Sequence, residues 1–265
     1  MDYQFLILEK LGRVLIVRIN RPDERNALSS GLMKELTQVA AEIREDYSLI
    51  AVVISGGNQV FSAGFDLKDP ETASILTQPF SVRRRRLEIG PSLCRAWEEI
   101  PQVTIAAVEG YCIGGAVSLV LACDFRVMAD NAFIRIPEID LAMNYSWGSL
   151  PRLVNLVGPA KAKEWVILAD KVECPEAVQY GFTQWTALPG QAEAKAQEIA
   201  QRIAAKPQAP VFMTKQTVNA LVAANQAVGH MDLDQFALTV LSDDFQEGLD
   251  AFLNKRKPVF NKNLP

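Results

Sequence analysis

The stretch Val103-Thr-Ile-Ala-Ala-Val-Glu-Gly-Tyr-Cys-Ile-Gly-Gly-Ala-Val-Ser-Leu-Val-Leu-Ala-Cys-Asp124 decides how this chain reads. Val103 to Val108 is a short apolar run rich in β-branched residues, bounded by Pro101 and Gly110, and predicts a fully buried strand. Gly114, Gly115 and Ala116 open an apolar segment, Val117 to Ala122, broken only by Ser118, that Asp124 closes. It is too short to span a bilayer and predicts a buried helix. A strand that runs through a glycine pair into a helix leaves free N–H groups at the positive end of the helix dipole. Glycine there lets a substrate approach the backbone closely, so the place suits a phosphate or an oxyanion that develops during a reaction. Gly110-x-x-x-Gly114-Gly115 is neither a dinucleotide fingerprint nor a P-loop, because no Lys-Ser/Thr pair follows.

A second stretch shifts the balance towards an oxyanion hole. Ile50-Ala-Val-Val-Ile-Ser-Gly-Gly57 is another buried strand ending in glycines, and Phe61-Ser-Ala-Gly-Phe-Asp-Leu-Lys68 follows it. Two buried strands, each leading into a small-residue turn, can supply the two halves of one hole.

Outward from these, Phe5 to Lys10 and Val14 to Asn20 predict an N-terminal hairpin around Leu11-Gly12-Arg13. Ser29 or Ser30 predicts a cap for a helix whose Leu32, Leu36, Val39, Ala40 and Ile43 share one face. The order β-β-α-β indicates an α/β fold. Asp69 to Phe80, with its prolines and small polar residues, reads as a flexible loop, and Arg83 to Glu99 as a single helix opened by four arginines. Such a run marks a solvated face, or a place where one or two guanidinium groups meet substrate phosphates. Phe125 to Ala129 and Ala132 to Ile136 read as strands, with Pro137-Glu138-Ile139 at the exit of the second. From Gly158 the composition turns helical, with Gln191 to Ala205, Pro210 to Val228 and Asp232 to Leu253 at helical spacing.

Composition excludes several classes. A net charge of -4 and a pI near 5.3 argue against a nucleic-acid partner. No segment has the length of a membrane span or the pattern of a signal peptide, so a cytoplasmic protein is expected, with no membrane partner. Cys94, Cys112, Cys123 and Cys174 show no CxxC spacing and read as reduced, buried thiols; with one histidine, His230, no metal site is expected. A serine hydrolase is disfavoured by the absence of GxSxG.

The chain resembles the enoyl-CoA hydratase/isomerase (crotonase) family. The likeness is carried by Asn20-Arg-Pro-Asp-Glu-Arg-Asn-Ala-Leu28, Ser62 to Lys68, Gly110-Tyr-Cys-Ile-Gly-Gly115 and Pro137-Glu-Ile139. It runs on through Gly158-Pro-Ala160 to the segment from Glu247 to Pro258, and so covers nearly the whole chain. It implies a crotonase-like spiral of ββα units over residues 1–200, with a C-terminal helical segment over 201–265 that serves as lid and oligomerisation element. It also implies an acyl-CoA thioester substrate, coenzyme A being part of the substrate, no permanently bound cofactor, and a homotrimer or homohexamer.

Carried over by position, the resemblance makes Glu138 the catalytic acid/base and the N–H groups of Phe65 and Gly115 the oxyanion hole. Ala63, Gly64, Asp66, Leu67 and Gly114 fall beside the substrate. Arg25 is placed near the CoA phosphates, adjacent to Glu24, where relatives often carry lysine. Phe236 and Lys255 match an aromatic and a lysine that meet CoA from a neighbouring subunit. Tyr145 and Trp147 replace a glycine-rich loop beside the acyl pocket and imply a pocket altered in size. The chain departs from the hydratase pattern at Ser118, where hydratases usually carry a second glutamate. A serine offers a weak hold on water or a substrate hydroxyl. Asp140 is the nearest substitute carboxylate in sequence. The implied function is enoyl-CoA isomerisation or hydration with one glutamate. The alternatives are an aryl-enoyl-CoA hydratase-lyase, also similar at Gly110-Tyr-Cys and Ser118, and an inactive relative that binds CoA esters.

Overall fold

The structure is a computed structural model that describes residues 3–76, 78–223, 229 and 231–260. The chain opens with the hairpin β1 (Leu6–Leu11) and β2 (Val14–Ile19), registered Leu6 opposite Ile19, with Gly12 at a positive φ in the turn. The 3-10 turn Pro22–Glu24 leads to α1 (Ser30–Glu45). Ser29 is the residue that caps α1, its Oγ accepting from the Leu32 N–H at 3.2 Å. The predicted apolar stripe of α1 is buried, with Met33 added. Next come β3 (Ala51–Ser55), α2 (Pro70–Leu76), α3 (Phe80–Leu87), α4 (Ile89–Glu98) and β4 (Val103–Val108). Every residue of β3 and β4 is buried, as their unbroken apolar runs require of parallel strands covered on both faces.

Two expectations fail here. The presumed loop before Phe80 contains α2, because Asp69 Oδ2 accepts from Thr72 Oγ1 at 3.1 Å and Pro70 begins the first turn, where its missing N–H costs nothing. The presumed helix from Arg83 to Glu99 is two helices that meet at Glu88, and the first begins at Phe80 rather than Arg83.

Beyond β4, the short strand β5 (Tyr111–Ile113) precedes α5 (Gly115–Leu121), all of whose residues are buried. Then follow β6 (Phe125–Ala129), β7 (Phe133–Arg135) and the 3-10 turn Ile139–Leu141. Helices α6 (Ser149–Val157) and α7 (Pro159–Leu168), strand β8 (Val172–Glu173), α8 (Cys174–Gln179) and β9 (Trp185–Ala187) come next. The chain continues with α9 (Ala192–Ala204), α10 (Gln208–Ala223), α11 (Asp232–Thr239) and α12 (Asp243–Leu253). The helical spacing from Asp232 to Leu253 is thus two helices, the second started by Ser242, whose Oγ accepts from the Phe245 N–H. The predicted extension of α10 to Val228, and His230, lie outside the described residues.

The main sheet runs β1-β2-β3-β4-β6-β9, parallel from β2 onward, and a small sheet runs β5-β7-β8. Helix α9 lies on the main sheet across β2, β3, β4 and β6. Its start is tied to the deciding stretch by Glu109, whose carboxylate accepts the N–H groups of Gly190 at 3.0 Å and Ala192 at 2.7 Å. Arg18 holds the same helix through Glu193 at 2.7 Å. Among the described residues the four cysteines are buried and free; burial pushes the Cys94 and Cys123 thiols up to about 12. No helix of the described residues is long and apolar enough to cross a membrane.

Candidate active site

The parallel register of β3 and β4, Ala51 beside Val103 through Ser55 beside Ala107, delivers the two glycine turns to the same end of the sheet. There Ser62 bridges Cys112, and the Ile113 N–H donates to Ser62 O at 3.1 Å. Gly64, at φ +88, lies so close to the second turn that a Cβ on it would meet Ile113 O at 2.4 Å, and it would stand 3.7 Å from the Gly115 nitrogen. Neither the Phe65 nor the Gly115 N–H donates to another backbone group among the described residues. Gly115 is the first residue of α5, where no intrahelical acceptor exists. The neighbouring donors are occupied: Gly114 N–H goes to Arg135 O at 2.8 Å and Asp66 N–H to Leu28 O at 3.1 Å.

Glu138 meets this pair from the exit of β7, where the turn Ile139–Leu141 bends the chain and both Leu141 and Met143 N–H groups donate to its carbonyl. The residue as a whole is partly exposed, but Oε2 is shut off from solvent and has no hydrogen-bond partner. Burial raises its pKa to about 8, because the charged form loses its hydration without gaining a cation. The carboxyl lies close against the second glycine turn: a Cβ on Gly114, at φ +52, would stand 2.8 Å from Oε1. Only glycine permits that approach.

Phe65, Gly115, Ser118, Glu138, Tyr145 and Trp147 line one cavity of about 50 Å3. Ser118 Oγ donates to Tyr145 Oη at 3.2 Å, and both residues are buried. Burial, reinforced by the nearby Glu138 carboxyl, pushes the Tyr145 phenol well above its ordinary pKa, so it stays protonated. A larger groove, about 690 Å3, runs between α10 and the β4–α5 region, but Glu138 and the two free donors are not in it.

The remaining expected site residues fall into two groups. Gly64 and Gly114 allow the close approach of the first turn to Ile113 O and of Glu138 to the second turn, while Asp66 is paired with Arg21 at 3.1 Å and Ala63 N–H donates to Arg25 O at 3.0 Å. Arg25, exposed at φ 54, and Leu67 are not among the residues around the cavity. Asp140 is no second carboxylate: it is exposed and paired with Arg135 at 2.7 Å, because the 3-10 turn sends it away from Glu138. Phe236 and Lys255, which the resemblance has meeting CoA from a neighbouring subunit, sit apart from each other within the single chain. Phe236 lines the cavity of its own chain, since α11 lies across α3 with Arg84 paired to Asp234 and Leu233 clustered with Ile75 and Leu87. Lys255 is exposed beyond α12 and does not reach the cavity.

Ser30, Ile75, Arg86, Leu87, Ile89, Met143 and Ser146 complete the lining; of these, only Ser30, as a candidate helix cap, and Arg86, within the arginine run, were singled out by sequence. The signal for Ile75 was there, as an apolar residue within a helix that the loop reading concealed, and Leu87 lay in a segment already read as helical. Arg86 is the one member of the arginine run that borders the cavity; Arg83 is buried over the Phe80 ring, 5.9 Å from its centroid. Among the described residues no group of His, Cys, Asp and Glu is placed to hold a metal ion.

Comparison with known proteins agrees with this geometry. Residues 9–263 match the enoyl-CoA hydratase/isomerase family. The chain is 31% identical over 266 residues to a short-chain-enoyl-CoA hydratase of Clostridium acetobutylicum, covering 99% of this chain and 100% of the relative. It is 31% identical over 262 residues to a crotonyl-CoA hydratase of Syntrophomonas wolfei, covering 98% and 99%. Among solved structures, an enoyl-CoA hydratase from Bacillus anthracis superposes with a TM-score of 0.77 at 29% identity, over 97% of this chain and 98% of that one. One from Mycobacterium avium subsp. paratuberculosis shares the fold at a TM-score of 0.86 and 23% identity, over 98% and 99%. The α/β architecture with a helical C-terminal region is thus the crotonase fold, and the chain belongs to the enoyl-CoA hydratase/isomerase family of enzymes.

Proposed function

We propose that this protein moves a proton on an enoyl-CoA thioester, with Glu138 as the single acid/base and isomerisation of the double bond as its reaction. The thioester oxygen sits between the N–H groups of Phe65 and Gly115, which bind the enolate more strongly than the carbonyl. Each such preorganised donor contributes on the order of 3–4 kcal/mol to the transition state. Glu138, as carboxylate, takes a proton from one carbon and returns it to the other, and its raised pKa suits both steps. The observation that carries the reading is the Glu138 carboxyl, its Oε2 buried without a hydrogen-bond partner, beside two free donors, with Ser118 where a second carboxylate would be needed to position water.

A second reading is hydration, favoured by the names of the relatives and by the Ser118–Tyr145 hydroxyl pair, which offers polar contacts for a water or a β-oxygen. The same pair would serve hydration followed by lyase cleavage of an aryl-enoyl-CoA. Incubation with 2-enoyl-, 3-enoyl-, 3-hydroxyacyl- and aryl-enoyl-CoA, read by chromatography and mass spectrometry, separates them. Double-bond migration without mass change supports isomerisation, and gain of water supports hydration. Normal CoA-ester binding with no turnover refutes both.

The substrate supplies coenzyme A, and no permanently bound cofactor enters this chemistry. We assign residues 201–265 to a lid and oligomerisation segment, supported by Phe236 over the cavity, and a cytoplasmic homotrimer or homohexamer as the assembly.

A further inference from the structure

Trp147 occupies a space that two missing side chains create. A Cβ on Gly90 in α4 would lie 2.0 Å from Trp147 Cε2 and 2.4 Å from its Nε1. One on Gly115, which carries the oxyanion-hole donor, would lie 2.8 Å from Cη2 and 2.9 Å from Cζ3. The indole is therefore wedged between α4 and the first turn of α5, with Phe65 edge-on at 6.0 Å between ring centroids. Both residues that offer the N–H donors thus touch or face the same ring.

The loop that carries the ring is fastened at several points. Arg152, buried and paired with Glu98 at 2.7 Å, donates from Nη1 to Trp147 O at 2.9 Å and to Gly148 O at 3.0 Å. The Gly148 N–H donates to Asp232 Oδ2 at 2.6 Å, and Asn144 Nδ2 to Asp232 O at 3.2 Å. Trp147 itself has φ +64, a conformation that a bulky residue keeps only where its surroundings over-determine it. Such a wall does not swing aside to admit a long chain.

We propose that Trp147, seated in the slot left by Gly90 and Gly115, ends the acyl pocket and confines the substrate to a short acyl chain. This deepens the enoyl-CoA reading and rests on it. The open volume of about 50 Å3 agrees with it. So small an open space beside the ring leaves no room for an extended long alkyl chain.

The test uses Trp147→Gly, since glycine accepts the positive φ without strain and removes the whole ring. Affinities of butanoyl-, hexanoyl- and decanoyl-CoA are measured by calorimetry for the wild-type and variant proteins. Each methylene taken into an apolar slot is worth about 4-fold in affinity. The decanoyl-to-butanoyl affinity ratio should therefore rise at least about 10-fold in the variant. An unchanged ratio in a folded variant, checked by circular dichroism and thermal melting, overturns the proposal. If the variant does not fold, the wild-type series decides alone. A steady gain in affinity from butanoyl- to decanoyl-CoA overturns the proposal, and a plateau or loss beyond butanoyl-CoA supports it. Because binding of saturated esters is read, absence of turnover on any enoyl-CoA would refute the proposed reaction and leave this result standing.

Discussion

Glu138→Gln keeps the shape of the side chain and removes its titration, and the structure gives the consequence two independent readouts. The first is stability. Burial moves the pKa of Glu138 from 4.5 to about 8, so between these values the folded state holds a proton that the unfolded chain has released. Wild-type stability must then fall as pH rises from about 4.5 through about 8, and level off above. At roughly 1.36 kcal/mol per pH unit, the full displacement corresponds to on the order of 5 kcal/mol. Water that enters the cavity to solvate the carboxylate lowers this, so a loss of about 2–5 kcal/mol is expected. Urea unfolding at pH 5, 7 and 9 measures it. Glu138→Gln should lack this component and gain on the wild type with rising pH.

The second readout is turnover, which should fall at least about 100-fold on removal of an acid/base. The direction of the wild-type pH profile of kcat/KM also separates the reactions. Isomerisation begins from the carboxylate, so activity rises up to a pKa near 8. Protonation of the α-carbon by Glu138 in hydration begins from the acid, so activity falls above it. Parallel pH–stability curves for wild type and Glu138→Gln, together with near-native turnover, would refute both the buried acid and its role.

Gly114→Ala forces a methyl group against Glu138 Oε1, 2.8 Å away, and into a positive φ; turnover should drop at least about 10-fold with a lowered melting temperature. Ser118→Glu puts a longer side chain where Tyr145 Oη stands 3.2 Å from Ser118 Oγ, so overpacking should cost about 1–3 kcal/mol in unfolding assays. Hydration of a short 2-enoyl-CoA should rise only when Tyr145→Ala accompanies it; a gain in the single variant would show that Tyr145 yields. Light scattering should give a trimer or hexamer, and truncation before Asp232 should cost CoA-ester affinity, since it removes Phe236 from the cavity. A monomer at micromolar concentration, or unchanged affinity, would count against the assignment of residues 201–265.

The sequence by itself determined the elements whose burial is written in unbroken apolar runs. The strand Val103–Val108 was legible to the residue, and β3 and α5 nearly so, because parallel strands and a fully buried helix leave no polar face to blur their limits, while α1 was read from its one-sided apolar stripe. The motifs also named Glu138 and the two donor turns, since glycine at a strand–helix junction and a carboxyl at a strand exit are local features. What stayed hidden depends on single side chains, some acting within one turn and some on residues distant in sequence. Asp69 beside α2, Ser242 before α12 and Glu109 at the start of α9 each act through one hydrogen-bonded side chain. Asp140 looked equivalent to Glu138 two residues away, yet a 3-10 turn separates the two by direction, sending one to Arg135 and the other into the cavity. The sequence put Trp147 near the acyl pocket. Only the packing of α4 against α5 shows that its ring fills the space left by Gly90, a glycine no motif singles out, because a missing Cβ has meaning only for the side chain that folding brings against it.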